Sequence, residues 1–382
     1  MLLLVASGFF VCLVYLLGFV IYRLWLSPLG QFPGPKFAAA TLWYETYHDA
    51  FWWRQYTFEI SRMHEKYGPI VRISPHELHV NDPEYYEVLY SCDSPWNKYA
   101  YSTKLFGVTR SMVATVGHYH HRLLRSNMNP YFSTARVRKQ EPFIQSLVDK
   151  LCKLLQAYKG TGKPTNLQHA FTCFTTDVTI AGSAKSGVYV KEFPWLGLVF
   201  SLMPQWLLSK ERCNKIIQSK EELNWLNPNG TATLTNFEQM PYPTSVMLEG
   251  LRLSYGLSSR QERVAPDRNL QFRQWSIPAR TPVGLTSTLI HHNETIFPSS
   301  TTFIPKRWMD SACRKYLEYT WSRSQRGLGS SRESRNPPCL SNIVRRLDLE
   351  MYETMREDVT IAHDLFLPFA KEGRKGVRVV VR

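Results

Sequence analysis

The chain has 382 residues, a net charge of +15, 44% hydrophobic residues and 13% aromatics. This length and composition support a large buried core and exclude a generally disordered chain. The charge favours an acidic partner: an anionic membrane surface, an acidic protein or nucleic acid. Seven cysteines (Cys12, Cys92, Cys152, Cys173, Cys213, Cys313, Cys339) are odd in number and scattered, with no C-x-x-C pair. A disulfide framework and a zinc ribbon are both unsupported, and a reducing compartment is expected.

Met1–Tyr22 carries no charged side chain. As a helix rising ~1.5 Å per residue it spans the ~30 Å hydrocarbon core of a bilayer. A cleaved signal peptide is the competing reading, but it calls for a basic start, a shorter apolar run and a small-residue cleavage site. Arg23 and Lys36 follow the apolar run instead. The positive-inside rule then places the body of the protein in the cytosol, behind a single membrane span. "SPLGQFPGPKF" (Ser27–Phe37) predicts a stiff Pro-rich hinge, because proline fixes φ and removes donors.

Further along, Arg54–Tyr67 predicts an amphipathic helix stopped by Gly68-Pro69. Ile70–Asp82 alternates around Ser74-Pro75-His76, a β-hairpin pattern, and Asp82-Pro83-Glu84 caps a helix through Tyr90. Helices are expected over Gly117–Phe132, ending near Asn129-Pro130, and over Glu141–Leu155. Another starts at "NLQHAF", and a further one covers Thr244–Ser254. Asn227-Pro228-Asn229-Gly230 reads as a turn. Arg263–Pro298 is strand-rich, and the chain ends in a β-branched strand. The expected class is α+β, mainly helical.

Glu249 and Arg252, in "EGLR", share a helical face at i, i+3, and alone they read as an ordinary surface pair. Some fifty residues on, "FIPKRW" supplies Arg307, which can complete a buried Glu–Arg–Arg cluster. "LEGLRLSYG", "RWMD", "YGPIVRISPHELHVNDPEYYEVLY" and "HHRLLRSNMNPYFS" stand in an order that resembles the cytochrome P-450 superfamily of haem-thiolate monooxygenases. The resemblance is closest to the fungal membrane-bound branch that includes trichodiene oxygenase-like enzymes. It covers roughly three quarters of the chain, and several independent motifs carry it. It implies the haem-thiolate monooxygenase fold behind an N-terminal transmembrane helix, with residues 1–22 as anchor, 23–37 as hinge and 38–382 as the monooxygenase-like domain.

The resemblance also implies haem as cofactor, a reductase partner, and a hydrophobic small-molecule substrate of the terpenoid kind in fungal secondary metabolism. His121 and Arg125 fall where the family binds the haem propionates, and Arg is suited to a carboxylate by its two parallel donors. A solvated basic face is the alternative reading for these two. It is also the alternative for Arg122, Arg136, Arg138 and Lys139, which with Arg125 would suit an acidic redox partner.

Two family elements are missing. The iron ligand of the family sits in a Phe-x-x-Gly-x-Arg-x-Cys-x-Gly loop, whose backbone N–H groups and succeeding helix hold the thiolate. "TWSRSQRGLGSSRESRNPPCLSN" (Thr320–Asn342) stands in its place. Cys339 is the candidate axial ligand there, but Pro337 and Pro338 remove donors before it and Ser341 stands where Gly belongs. An ordinary loop cysteine is the competing reading.

With one choice of synonymous codons, Trp321–Ser330 read one base earlier gives Leu-Val-Ser-Phe-Ser-Lys-Gly-Ser-Arg-Gln, the family loop up to the residue before cysteine. The family's central Ala-Gly-x-x-Thr helix has no counterpart either: Ala181-Gly182 runs on into "SAKSG", and "EFPWL" (Glu192–Leu196) resembles a point well before that helix. From Ser209 the sequence passes almost directly to a region that resembles the family's segment beyond that helix, and a shorter gap is expected near Thr179. The sequence therefore predicts an internally deleted chain that does not hold haem, as the alternative to a working monooxygenase. A nucleic-acid role for the Ser/Arg run is disfavoured, since it lacks interleaved aromatics beyond Trp321.

Overall fold

The computed structural model describes residues 1–91, 94–104, 111–129, 134–178 (except 168, 172, 175 and 176), 241–254, 258–309, 346–364 and 368–382. The expected features at Thr179, Ala181-Gly182, Glu192–Leu196, the Asn227–Gly230 turn and Thr320–Asn342 with Cys339 lie outside the described residues. The described chain is mainly helical with short strands, in the α+β class expected. It forms two compact units, Met1–Leu124 with Ser259–Ile290, and Arg125–Ser258 with His291–Arg382.

In the first unit, α1 (Leu2–Ile21) is apolar on all sides. With the wide helical turn that continues it, α1 makes a 24-residue stretch, Leu3–Leu26, of mean hydropathy 2.6 with none of it buried. It is long and apolar enough to cross a membrane. Arg23 closes it: its Nη1 donates to the Ala40 carbonyl at 2.7 Å and its guanidinium lies over the Phe19 ring at 4.0 Å.

The Pro-rich segment stays non-helical until α2 (Lys36–Ala40) and is braced rather than free. Leu29 and Phe32 are buried, the Phe32 ring sits 5.1 Å from that of Trp275, and Arg72 N donates to Pro33 O at 2.7 Å. Gly34 allows this approach, since a Cβ there would come within 2.5 Å of Arg72 O.

After α3 (Trp43–Thr46) and the wide turn Tyr47–Phe51, the next helix, α4, covers Tyr56–Tyr67. It begins two residues later than the sequence pattern predicts, because Trp53 and Arg54 have φ of 53° and 60°. Gly68, at φ 94°, ends it as expected. Tyr56, Ile60 and Met63 bury one face of α4 against Val71 and Ile73.

The predicted hairpin is present: β1 (Ile70–Arg72) pairs antiparallel with β2 (Leu78–Val80), Ile70 opposite Val80. Asp82 forms a turn ahead of the next helix, with Glu84 N donating to Asp82 Oδ1 at 3.0 Å, but α5 (Tyr85–Tyr90) starts two residues later than the sequence predicts, so Glu84 and not Asp82 is its N-cap. β3 (Asn97–Lys98), β5 (Arg263–Val264) and β8 (Pro282–Gly284) complete a five-stranded sheet ordered β1-β2-β8-β5-β3. β6 (Leu270–Phe272) and β7 (Trp275–Ile277) form a separate hairpin. Short α6 (Ala100–Lys104) comes after β3.

A buried histidine chain crosslinks this unit. His64 Nε2 lies 2.7 Å from His79 Nδ1, and His79 Nε2 lies 2.9 Å from Thr286 Oγ1. Burial drives the His64 pKa down to about 4 and depresses that of His79 as well, so both rings are neutral at pH 7. A depressed folded-state value means the stabilisation is complete above the ordinary 6.5 and is lost as pH falls through about 4. The unfolding midpoint in urea is therefore expected to decline from pH 6.5 to 4, and His64→Gln is expected to flatten that decline; an unchanged slope in the variant would sink the assignment.

In the second unit, α8 runs from Thr134 to Gln156. It starts earlier than the Glu141 boundary expected from sequence, since the helix passes through Pro142 instead of beginning beside it. Its inner face, Val148, Leu151, Cys152 and Leu155, packs with Leu167, Phe171, Phe174, Val377, Val379 and Val381. Each such aliphatic side chain contributes roughly 1.5–3 kcal/mol by burial. The valines belong to the terminal strand β12 (Arg378–Val381) and its approach, the strand lying between β4 (Thr165–Asn166) and β9 (Leu349–Met351). β10 (His363–Asp364) and β11 (Pro368–Phe369) form a small ladder. α7 (His118–Met128) begins in the first unit and ends in the second.

Candidate functional site

α9 (Pro241–Ser254) presents Glu249 and Arg252 on one face, both fully buried. The pairing is a fork on a fork: Arg252 Nε donates to Glu249 Oε2 and Arg252 Nη2 to Oε1, each at 2.9 Å. Arg307, in the turn Pro305–Trp308, donates from Nε to the same Oε1 at 3.2 Å. Trp308 Nε1 donates to Oε2 at 2.8 Å and Ile304 N to Oε1 at 2.9 Å. The carboxylate is thus saturated with donors.

Both arginines spend their remaining donors on backbone carbonyls, Arg252 on His291 O at 2.7 Å and Arg307 on Pro298 O at 3.0 Å. Arg252 also lies over the Phe297 ring at 5.1 Å. This arrangement clamps α9 to the segment 291–308, whose apolar side is Phe297 and Trp308 packed on Leu248 and Leu251. Burial, with Arg252's charge adding to it, pushes His291 down to about 3; His292 falls to about 4 for the same reasons. Neither adds a further cation to the cluster at neutral pH.

His121 and Arg125 both lie on α7, partly buried, and burial lowers the pKa of Arg125. Arg122, Arg138 and Lys139 are exposed; the side chain of Arg136 lies outside the described residues.

The iron ligand is the test of whether haem fits. A haem-thiolate site needs a cysteine held deprotonated by donors. Among the described residues the free cysteines are Cys12 in α1, Cys152 and Cys173. Cys152 is buried in the apolar core of the second unit and burial pushes its thiol pKa up, the reverse of what a thiolate requires. Cys12 sits within the membrane-length stretch, and Cys173 is exposed. None of these fits the group, and Cys339 lies outside the described residues. Among the described residues no group of three or more His, Cys, Asp or Glu is placed to hold a metal ion.

A second charged constellation was not legible in the sequence. Arg260, in the first unit, is surrounded by Glu45, Glu77 at 3.2 Å and Glu262 at 3.0 Å. Burial alone would depress Arg260, but the three carboxylates outweigh it and hold the guanidinium charged. Burial raises Glu77 to about 8, with Glu262 and Glu45 adding to the rise and Arg260 only partly opposing it. One guanidinium cannot neutralise three carboxylates, so the most buried of them keeps its proton at neutral pH. Glu262 is two positions from Arg260, but Glu45 and Glu77 lie 215 and 183 positions before it, and no spacing rule links them.

The comparisons with known proteins agree with this scaffold. The family model for cytochrome P450 matches residues 35–182 and 215–320. The chain is similar to cytochrome P450 monooxygenase MO6277 of Ascocoryne sarcoides, at 31% identity over 498 aligned positions covering 97% of each chain. It is also similar to tryptophan 6-hydroxylase of Fusarium equiseti, at 29% identity over 95% of this chain and 94% of that one. A third relative is stellatic acid synthase of Emericella variicolor, at 29% identity over 96% and 93%. An alignment of 498 positions against 382 residues leaves more than a hundred positions of the first relative without a counterpart here. End-to-end similarity, a matching family model over most of the chain and the Glu249–Arg252–Arg307 clamp point the same way: this chain belongs to the cytochrome P450 family.

Proposed function

We propose that the chain is the membrane-anchored scaffold of a fungal haem-thiolate monooxygenase whose lineage oxidises a hydrophobic small molecule of the terpenoid kind with electrons from a reductase, and that the chain as it stands does not hold haem. The observation that carries this reading is the shortfall against full-length relatives. More than a hundred aligned positions are unmatched, while both ends of the chain are covered. The shortfall is therefore internal, in keeping with the missing central helix and the altered ligand loop around Cys339.

The relatives support the class of reaction and leave the substrate open. At the same 29% identity, one is named for hydroxylating tryptophan and another for making stellatic acid. A terpenoid is chosen for the resemblance of the chain's motifs to trichodiene oxygenase-like enzymes. His121 and Arg125 remain the candidates for the haem propionates in the ancestral site, and Cys339 is a bystander. α1 serves as the anchor, with the folded part on the cytosolic face of the endoplasmic reticulum membrane.

The reduced CO-difference spectrum of the purified full chain tests the proposal. The expected result is no band of thiolate-ligated haem. A band of that type, lost on Cys339→Ser, would overturn the non-catalytic reading and restore Cys339 as ligand. The coding DNA is the second check: synonymous codons in Trp321–Ser330 that cannot be read as the family loop one base earlier would remove the frameshift explanation.

A further inference from the structure

The segment formed by α3 and the wide turn after it is held to the first unit mainly by polar contacts. Glu45 pairs with Arg260, Tyr44 Oη donates to Glu59 Oε1 at 2.8 Å, and Asp49 Oδ1 accepts from Tyr56 N at 3.3 Å. Its aromatic residues face outward instead, with Trp43 68%, Tyr47 47% and Phe51 72% exposed. These side chains add little apolar burial to the attachment. Trp53 and Arg54, which follow the turn, are consecutive non-glycine residues in the left-handed region, a strained backbone. The ion pair of Glu45 is therefore a large part of what keeps residues 43–53 in place.

That pair depends on Glu77. Arg260 Nε has one hydrogen and donates it to Glu262 Oε1 at 3.0 Å. Glu77 Oε2 lies 3.2 Å from the same nitrogen, yet it is buried and has no hydrogen-bond partner among the described residues. A buried carboxyl oxygen without a donor is where the acid keeps its proton. The other groups around Glu77 supply no further cation. Glu45 on α3 and Glu262 ahead of β5 are acids themselves. Burial keeps Tyr56 on α4 and Tyr99 after β3 as neutral phenols, and His79 on β2 is neutral too.

Ionising Glu77 sets three carboxylates around one guanidinium, and one of them must yield. Glu77 is fixed in the hairpin turn, its N–H donating to Ser74 Oγ at 3.1 Å and its carbonyl accepting from Ile73 N at 3.2 Å. Glu262 is tied to Arg260 by the short chain between them. Glu45 is the most exposed of the three, at 17% of its side chain, and sits on a helix of four residues. We propose that Glu77 is the bolt of a proton-dependent latch on residues 43–53: while it holds its proton Glu45 stays on Arg260, and once it ionises it takes the guanidinium and Glu45 leaves with its segment. One proton passes from the Glu77 carboxyl to water for each opening.

The sign follows from the raised value of about 8 against an ordinary 4.5: the closed state is fully favoured below 4.5 and loses that advantage as pH rises through about 8. The change therefore crosses neutral pH. Burial depresses His48, within the segment, and His76, beside Glu77, so neither gains a proton above the ordinary 6.5.

Amide hydrogen exchange of the full chain, divided by the intrinsic rate at each pH, tests the proposal. Protection of residues 43–55 is expected to fall about fivefold between pH 7 and 8 and to level off near pH 9, while the hairpin at residues 70–80 keeps its protection. In Glu77→Gln the segment is expected to stay protected throughout, and in Glu45→Gln to exchange fast throughout. Protection independent of pH in the unaltered chain, or a slope that survives Glu77→Gln, would overturn the proposal. So would a parallel loss at residues 70–80, the mark of general unfolding. Tryptic cleavage after Arg54 gives a readout that needs no variant. It is expected to quicken over the same range relative to cleavage of an unstructured peptide, and an unchanged relative rate counts against the latch.

Discussion

Replacing Arg252 with leucine is expected to cost about 3–5 kcal/mol, because it strands Glu249 in the interior with one guanidinium instead of two. A domain is stable by only about 5–15 kcal/mol, so the variant is expected in the insoluble fraction or with a sharply lowered urea midpoint. Arg252→Lys keeps the charge but cannot reproduce the paired donors to Oε1 and Oε2 or the bond to His291 O. It is expected to lose about 1.5–3 kcal/mol, the range for hydrogen bonds to charged groups. Arg307→Leu should cost less than Arg252→Leu, since Arg307 holds Glu249 through a single 3.2 Å contact whereas Arg252 holds it through two at 2.9 Å. Equal midpoints for Arg252→Leu and the unaltered chain would refute the clamp as a stabilising element.

The second large effect is expected at Arg260. Arg260→Leu leaves Glu45, Glu77 and Glu262 without the guanidinium they share, and a loss of about 3–5 kcal/mol is expected. Glu77 itself acts in the opposite sense. Its folded-state pKa, raised to about 8 from an ordinary 4.5, means its contribution is complete below 4.5 and is lost as pH rises through about 8. Glu77→Gln imitates the protonated acid, so it is expected to be near neutral at about pH 4, where Glu77 is protonated in both states, and stabilising at about pH 9. In the Arg260→Leu background it is expected to recover part of the loss. Urea titrations at the two pH values decide the matter; a Glu77→Gln chain less stable than the parent at the higher pH would show that Glu77 is ionised in the folded state.

The two clusters differ in how far the sequence revealed them. Glu249 and Arg252 sit one helical turn apart, and Arg307 comes later in a short motif of recognisable order, so local spacing and family pattern suffice. Apart from Glu262, two positions on, nothing local marks Arg260, whose other partners reach it from α3 and from the turn ahead of β2. The same limit explains the aromatic face. A run of Trp, Tyr and Phe reads as core by composition, and its outward aim is set by Glu45, Tyr44 and Asp49 finding partners inside. The early start of α8 is a smaller instance, where helical backbone continues through Pro142 despite the breaker signal.

By itself the sequence determined the apolar α1, the hairpin Ile70–Asp82, the α+β class and membership of the cytochrome P450 family. Each of these depends on neighbours within a few turns or on the order of short motifs. Tertiary structure alone decided that Glu45, Glu77 and Glu262 share Arg260, which face of residues 43–53 meets the exterior, and that the described cysteines do not suit an iron ligand. These outcomes depend on burial and on contacts between distant segments, which local periodicity does not encode.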